Sequence, residues 1–298
     1  MRGRADYHGR VLAAVCAAAG VVSLLGGCSG DGSTLVVSFP VEAVAPGSEA
    51  QRTVAGVLPS DQAIWVQRIE WRAPAGLHHS RLDAPPDGAA HFYPIMALPV
   101  GQSAGEVRFP DGYAVRLAAQ QPLSASYHFV NTTAEPIAGR IETRFHLAPA
   151  GTTPIPISML ALFANAIEIP ARGEATVEAT CPLPGHAIAL HSMASHTHRL
   201  GIGVDAVVVG GAHDGERIYH TTEWAEAPAQ AFAPPLALEA ETAIRFTCRY
   251  RNTIDAVVRY GAGADDEMCG VLGHYSPGMG PWGAVVAAPG RACEVQVR

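Results

Sequence analysis

The sequence predicts an all-β protein, and three observations carry that expectation. Glycine (31) and proline (23) punctuate the chain too often for long helices. Apolar residues make up 48% of 298, enough for real cores, while charged residues make up 16%. Strand-like runs recur along the chain, the clearest over 137–146. There Ile137, Gly139, Ile141, Thr143 and Phe145 alternate with Ala138, Arg140, Glu142, Arg144 and His146. Regular strand spacing with little helix suggests β-sandwiches or barrels.

The first element is an address. Arg2, Arg4 and Arg10 precede an apolar run over 11–25, followed by Gly26, Gly27 and Cys28. A basic segment, an apolar core and small residues before a cut site describe a secretory signal over 1–27, too short to span a bilayer comfortably. Leu25-Gly26-Gly27-Cys28 resembles a bacterial lipobox, which implies cleavage before Cys28 and a lipid on its thiol. An ordinary signal with an incidental cysteine is the alternative. Residues 28–33 read as a flexible tether. The mature chain would then be exported and lipid-anchored in the cell envelope, in the periplasm or on the outer surface.

Strands follow at 34–39, 64–71, 114–118, 125–130 and 137–146. The Pro/Gly/Thr stretch at 148–154 is the natural boundary, giving an N-terminal domain over 34–149 and a C-terminal one over 150–298. Beyond it, 158–166 reads as a short helix. Strands resume at 175–181, 188–198, 204–209, 217–222, 243–250 and 268–275. No internal repeat is convincing. Asn131-Thr132-Thr133 matches a glycosylation sequon, which carries little weight in a bacterial lipoprotein.

Charge and composition exclude several functions. All 20 basic residues are arginine, and the net charge is −7. Without lysine there is no Schiff-base chemistry, lysine-bound pyridoxal phosphate or Walker-type phosphate loop. The acidic balance argues against nucleic-acid binding. Cys16 falls in the signal and Cys28 is the anchor candidate. Cys181, Cys248, Cys269 and Cys293 remain, an even number that suggests two disulfides with three possible connectivities.

Histidines supply the candidate chemistry. His196 and His198 are two apart in a strand-like run, so both imidazoles project from one face and can reach one ion. His78 and His79 are adjacent. They share an ion only if the backbone is irregular there, which Pro74 and Gly76 make plausible, or if they use different ring nitrogens. His128 stands alone in an apolar strand. His91, His146, His186, His213 and His220 read as surface or structural. Strand parity turns His191 away from His196, and sets His274 on the face of Met268.

His196-Thr197-His198, Thr247-Cys248-Arg249-Tyr250 and Asp266-Glu267-Met268-Cys269, with Gly76-Leu77-His78-His79 and Tyr127-His128-Phe129 before them, resemble the copper type II ascorbate-dependent monooxygenases. The resemblance covers nearly the whole mature chain. It implies two tandem antiparallel β-sandwich (jelly-roll-like) domains facing a wet cleft, with two coppers per chain. One copper would be held by His78, His79 and His128, the other by His196, His198 and Met268. A thioether favours Cu(I), while imidazole holds copper in either state. The implied activity is hydroxylation of an aliphatic C–H bond of a small or neutral substrate, using O2 and a one-electron reductant such as ascorbate; the chain is expected to be a monomer. O2 chemistry would belong to the Met268 copper and electron supply to the three-histidine copper. The resemblance also selects the disulfides Cys248–Cys269 and Cys181–Cys293.

Two departures qualify this. The N-terminal half has no disulfide-forming cysteine. Ala194, Gly270 and Leu272 stand where the peptide-hydroxylating members carry carboxylate-gripping side chains. The competing reading is a non-catalytic copper-binding envelope lipoprotein, which needs the same ligands.

Overall fold

The computed structural model describes residues 34–85, 94–98, 102–183, 185–225, 227–261, 263, 265–278, 284–285 and 293–297. The proposed signal, the tether with Cys28, and His91 lie outside them. Among the described residues there is no helix. The N-terminal half contains β1 (Thr34–Val44), β2 (Glu49–Val57), β3 (Ile64–Arg72), β4 (Leu77–Asp83), β5 (Pro94–Leu98), β6 (Ala104–Arg108), β7 (Tyr113–Leu117), β8 (Pro122–Val130) and β9 (Ile137–Leu147). There follow β10 (Ile155–Pro156), β11 (Ser158–Ala164), β12 (Glu168–Ile169), β13 (Glu174–Pro182), β14 (Ile188–Thr197), β15 (Gly201–Val209) and β16 (Arg217–Thr221). The chain closes with β17 (Gln230–Leu238), β18 (Ala243–Arg251), β19 (Val258–Arg259), β20 (Cys269–Ser276), β21 (Ala284–Val285) and β22 (Glu294–Val297).

In the N-terminal half, one sheet runs β1-β9-β3-β7-β10 with β6 on β3, and a second runs β2-β8-β4-β5. Alternation explains their packing: Phe39, Ile69, Trp71, Phe129 and Phe145 point inward and fill one core. In the C-terminal half, β17-β14-β20-β11-β21 faces β16-β15-β18-β13-β22 over a core that includes Leu160, Val177, Met193, Phe246 and Tyr275. A small β12-β19 pair stands apart. Pairing is antiparallel apart from β10 with β7 and β11 with β21, which run parallel.

One secondary-structure expectation fails. Residues 158–166 do not form a helix; β11 occupies Ser158–Ala164 and pairs with β20 from Ser158↔Tyr275 to Ala164↔Cys269. An apolar run buried almost throughout has no polar face to reveal its period, so strand and helix look alike. Pairing with β20 satisfies its backbone where no water reaches.

The structure also carries a local repeat that the sequence hides. Asn131 follows β8, and Asn252 follows β18. Each donates its amide to a carbonyl four residues on, Glu135 at 2.8 Å and Ala256 at 2.8 Å. Each accepts from the backbone N–H two residues on, Thr133 at 2.9 Å and Ile254 at 3.0 Å. Asn131 is buried and committed to this turn.

Candidate metal centre

The N-terminal histidines sit on neighbouring strands of the β2-β8-β4-β5 sheet. Pairing runs Leu77↔Phe129 and then His79↔His128, so β4 carries one extra residue, His78. This β-bulge removes the parity problem: adjacent histidines no longer point to opposite faces. Gly76 starts the irregularity at φ 89°, where any Cβ would strike the Ile137 side chain. One ring nitrogen from each of His78, His79 and His128 lies within 4.8 Å of the other two. His78 Nδ1 and His79 Nδ1 are 3.1 Å apart.

The C-terminal set is built on β14 and β20. The register His196↔Gly270 and Thr197↔Cys269, continued by one residue, sets Met268 opposite His198 on the same face. The Cys248–Cys269 disulfide ties β20 to β18 beside Met268, and Cys181–Cys293 ties β13 to the C-terminal segment. Both bridges follow the pairing the resemblance implied. Tyr250 Oη donates to the Met268 carbonyl at 2.7 Å.

A residue without an assigned role in the sequence motif organises this corner. Glu267 is fully buried. Its Oε2 accepts from the His198 backbone N–H at 2.9 Å, and its Oε1 from Leu200 N–H at 2.8 Å. Burial lifts its carboxyl to about 7, against the opposing pull of the backbone amides of Leu200, His198 and Met268.

Ring orientation is fixed from behind in both sets. His128 Nε2–H donates to Glu49 Oε2 at 2.9 Å, leaving Nδ1 buried with no hydrogen-bond partner. His198 Nδ1–H donates to the Asp266 carbonyl at 2.8 Å, leaving Nε2 buried and equally unpartnered. A buried lone pair without a partner is costly. A metal ion would satisfy both atoms, and a back-side hydrogen bond is how ligating histidines are usually oriented.

Burial keeps His78, His79, His196 and His198 neutral. Burial pushes His79 down to about 3, helped by His78, His128, His196 and His198. Burial likewise brings His196 to about 4, with His198 and His78 adding to the effect. His78 is lowered by burial and by the neighbouring imidazoles, although Glu49 opposes this. Burial lowers His198 against the Asp266 carbonyl. Neutral imidazoles present lone pairs, the form that binds metal. With a thioether on one set, the donors suit copper.

The two sets meet. The His79 and His198 rings stack with centroids 6.5 Å apart and planes at 25°. The implied wet cleft is therefore bridged at this point by a ring contact.

The remaining histidines sort differently. A bulge between Leu190 and Ser192 resets parity in β14, so counting from His196 misplaces His191. Its ring packs on Tyr113 at 4.5 Å, and its Nε2 lies 2.8 Å from Ser276 Oγ. His274 packs on Phe109 at 5.3 Å and is pushed to about 4 by burial. Both join the two halves away from the ligand sets. Glu49, Asp266, Glu267 and Phe163 were not singled out from sequence. Asp266 and Glu267 had a signal, their place in the quoted motif; Glu49 and Phe163 had none.

Residues 158–281 match the family model for the copper type II ascorbate-dependent monooxygenase, C-terminal domain. Over these residues the chain is similar to the C-terminal domain of that family. Its matched range contains His196, His198, Glu267 and Met268. No curated protein matches the chain significantly. Among solved structures, the chain resembles the major capsid protein P2 of bacteriophage PM2 at 11% identity, covering 81% of this chain and 97% of that one, with a TM-score of 0.38. It resembles the VP2 subviral particle of infectious bursal disease virus at 8% identity, covering 85% and 74%, with a TM-score of 0.16. Such partial overlaps carry no argument about function.

Proposed function

We propose that this protein is an exported, lipid-anchored copper monooxygenase that hydroxylates an aliphatic C–H bond of a neutral substrate. The observation that carries the reading is the meeting of a three-histidine set with a His-His-Met set at the His79–His198 contact. The overall reaction is R–H + O2 + 2e⁻ + 2H⁺ → R–OH + H2O, with the electrons from a one-electron donor such as ascorbate. His78, His79 and His128 would hold one copper; His196, His198 and Met268 would hold the other. Bound copper supplies the one-electron redox chemistry and the reaction with O2 that no amino-acid side chain here provides.

The chain's own residues then bind and orient. Neutral imidazoles offer lone pairs without first losing protons. Glu49 and the Asp266 carbonyl fix the ring angles, while Glu267 ties the His198 backbone to the Met268 corner. The substrate side is apolar. Across three strands the register aligns Phe163, Gly270 and His196 in one row, and Ala161, Leu272 and Ala194 in the next. A Cβ on Gly270 would meet the Phe163 ring at 2.4 Å, so that ring takes the space a polar side chain would need. Arg199 is paired with Asp265 at 2.9 Å. A buried substrate carboxylate would lose hydration there without gaining a partner.

The test is mass spectrometry of a cell-envelope extract incubated with copper-loaded protein, ascorbate and ¹⁸O2. A product heavier by one ¹⁸O atom, formed with stoichiometric O2 uptake, is the expected result. Copper binding without any labelled product would leave a copper-binding envelope protein instead. Efficient turnover of a glycine-extended peptide, favoured over its amide, would refute the neutral-substrate assignment.

A further inference from the structure

We propose that the outer face of the β1-β9-β3 sheet docks on an anionic lipid surface, turning the histidine cluster away from the bilayer. The proposal rests on the anchored reading of Cys28.

The face is built by strand alternation. On β3, Ile69 and Trp71 enter the core, so Arg68, Glu70 and Arg72 point out. On β9, Ile141, Thr143 and Phe145 enter the core, so Arg140, Glu142 and Arg144 point out. Strand β6 adds Glu106 and Arg108 through the pairs Glu70↔Glu106 and Arg68↔Arg108. Arginine outnumbers glutamate on this face of a chain whose net charge is −7.

The glutamates are already used. Arg68 pairs with Glu70 and, at 2.9 Å, with Glu106. Arg144 pairs with Glu142 at 2.6 Å. Arg72, Arg108 and Arg140 make no hydrogen bond or close ion pair among the described residues, and Arg108 acts on Glu106 only through its charge at longer range. Arg72, Arg140, Arg144 and Glu142 line a shallow depression of about 420 Å³ together with Ala73 and Pro74. Like charges gathered on a surface repel one another. An external anion relieves that repulsion, and guanidinium groups match phosphate oxygens in bidentate geometry.

The tether decides which anion is at hand. Strand β1 lies beside β9 in this sheet, with Thr34↔His146 and Val36↔Arg144. From Cys28 to Thr34 a fully extended chain spans about 20 Å at most. An acylated Cys28 therefore holds this edge within about 20 Å of the headgroups. The phosphates of acidic lipids are then the concentrated anion within reach of the arginines, and contact brings them inside the screening length of about 8–10 Å.

The opposite sheet carries the chemistry. Ala125, Tyr127 and Phe129 fill the core, so His128 lies on the outer face of the second sheet, with the bulged His78 and His79 beside it. Docking through the arginines turns that side, with the His198 ring stacked on His79, away from the bilayer.

Arginine-selective labelling of the acylated, copper-loaded protein tests this without any mutation. The protein is reconstituted in neutral phosphatidylcholine vesicles, or in vesicles containing phosphatidylglycerol, and treated with phenylglyoxal. Labelled sites are mapped by mass spectrometry. Arg72, Arg108 and Arg140 should react about fivefold more slowly on the anionic vesicles, the factor matching about 1 kcal/mol per arginine near such a surface. Arg245, exposed on β18, should react at the same rate on both. Equal rates at all four sites overturn the proposal. Equal protection on neutral vesicles by inorganic phosphate at matched ionic strength also overturns it, in favour of a free-anion site. Intact mass reads the anchor separately: a mature chain without an acyl group overturns the anchored reading, and this proposal with it.

Discussion

Replacing Glu267 by Gln tests whether a buried carboxylate, and not the ligands alone, assembles the His-His-Met corner. The two carboxylate oxygens accept from His198 N–H at 2.9 Å and Leu200 N–H at 2.8 Å, with the side chain fully buried. Glutamine keeps one acceptor oxygen. Whichever way its amide turns, one backbone N–H then faces an NH2 group, and two buried donors are left unsatisfied. Each such group costs about 1–3 kcal/mol, so the substitution should destabilise the copper-free protein by about 2–6 kcal/mol. For a chain of this size, about 3 kcal/mol lowers Tm by roughly 6–12 °C. Scanning calorimetry of the copper-free protein measures this directly. Cu(I) titration should also show weaker binding at one of two sites, because His198 and Met268 lose a shared support. A Tm within about 2 °C of wild type, with both Cu(I) affinities intact, would refute the positioning argument.

Other expected outcomes follow from the same geometry. Met268→Ala should abolish turnover while removing at most one copper per chain; His78→Ala should spare Cu(I) binding at the methionine set yet prevent multiple turnover. Metal analysis beside O2 uptake decides both, and full multiple turnover by His78→Ala would end the two-copper reading. Replacing Cys248 and Cys269 by serine should cost about 2–5 kcal/mol in denaturant unfolding and weaken Cu(I) retention, since the bridge adjoins Met268. Finally, His79, His196 and His274 have folded pKa values depressed to about 3, 4 and 4 by burial. An unfolded chain binds their protons first, so stability of the copper-free protein is complete above about pH 6.5 and falls as pH drops toward 4. Urea midpoints that stay flat between pH 7 and 4 would contradict that sign.

Much of this architecture is legible in the sequence because strands write a period of two. That period places His196 and His198 on one face, and it marks 137–146 as a half-buried strand with one charged side. It stops working where the backbone departs from regularity. The bulge at His78 unites residues that parity separates, and the bulge before Ser192 misdirects parity at His191. Burial hides the rest. Strand β11 lacks a polar face, so its period is invisible. The pairing of His128 with Glu49, and of His198 with the Asp266 carbonyl, depends on contacts 79 and 68 residues apart. No local pattern encodes such contacts. Glu267 lies inside the motif, but its role appears only when its two oxygens are seen on two backbone amides.

The extra residue in β4 also bears on how such a centre could arise or disappear. Adjacent histidines in a regular strand point to opposite faces, so bringing His78 and His79 to one side with His128 needs a change of length as well as of identity. One inserted codon beside Gly76 accomplishes both in a single event. Loss is equally abrupt: deleting residue 78 would restore an unbroken ladder between β4 and β8 while removing one donor, with both flanking cores left in register. Chains that have lost this centre should therefore be recognisable by a one-residue gap at this position, in an otherwise alignable pair of strands.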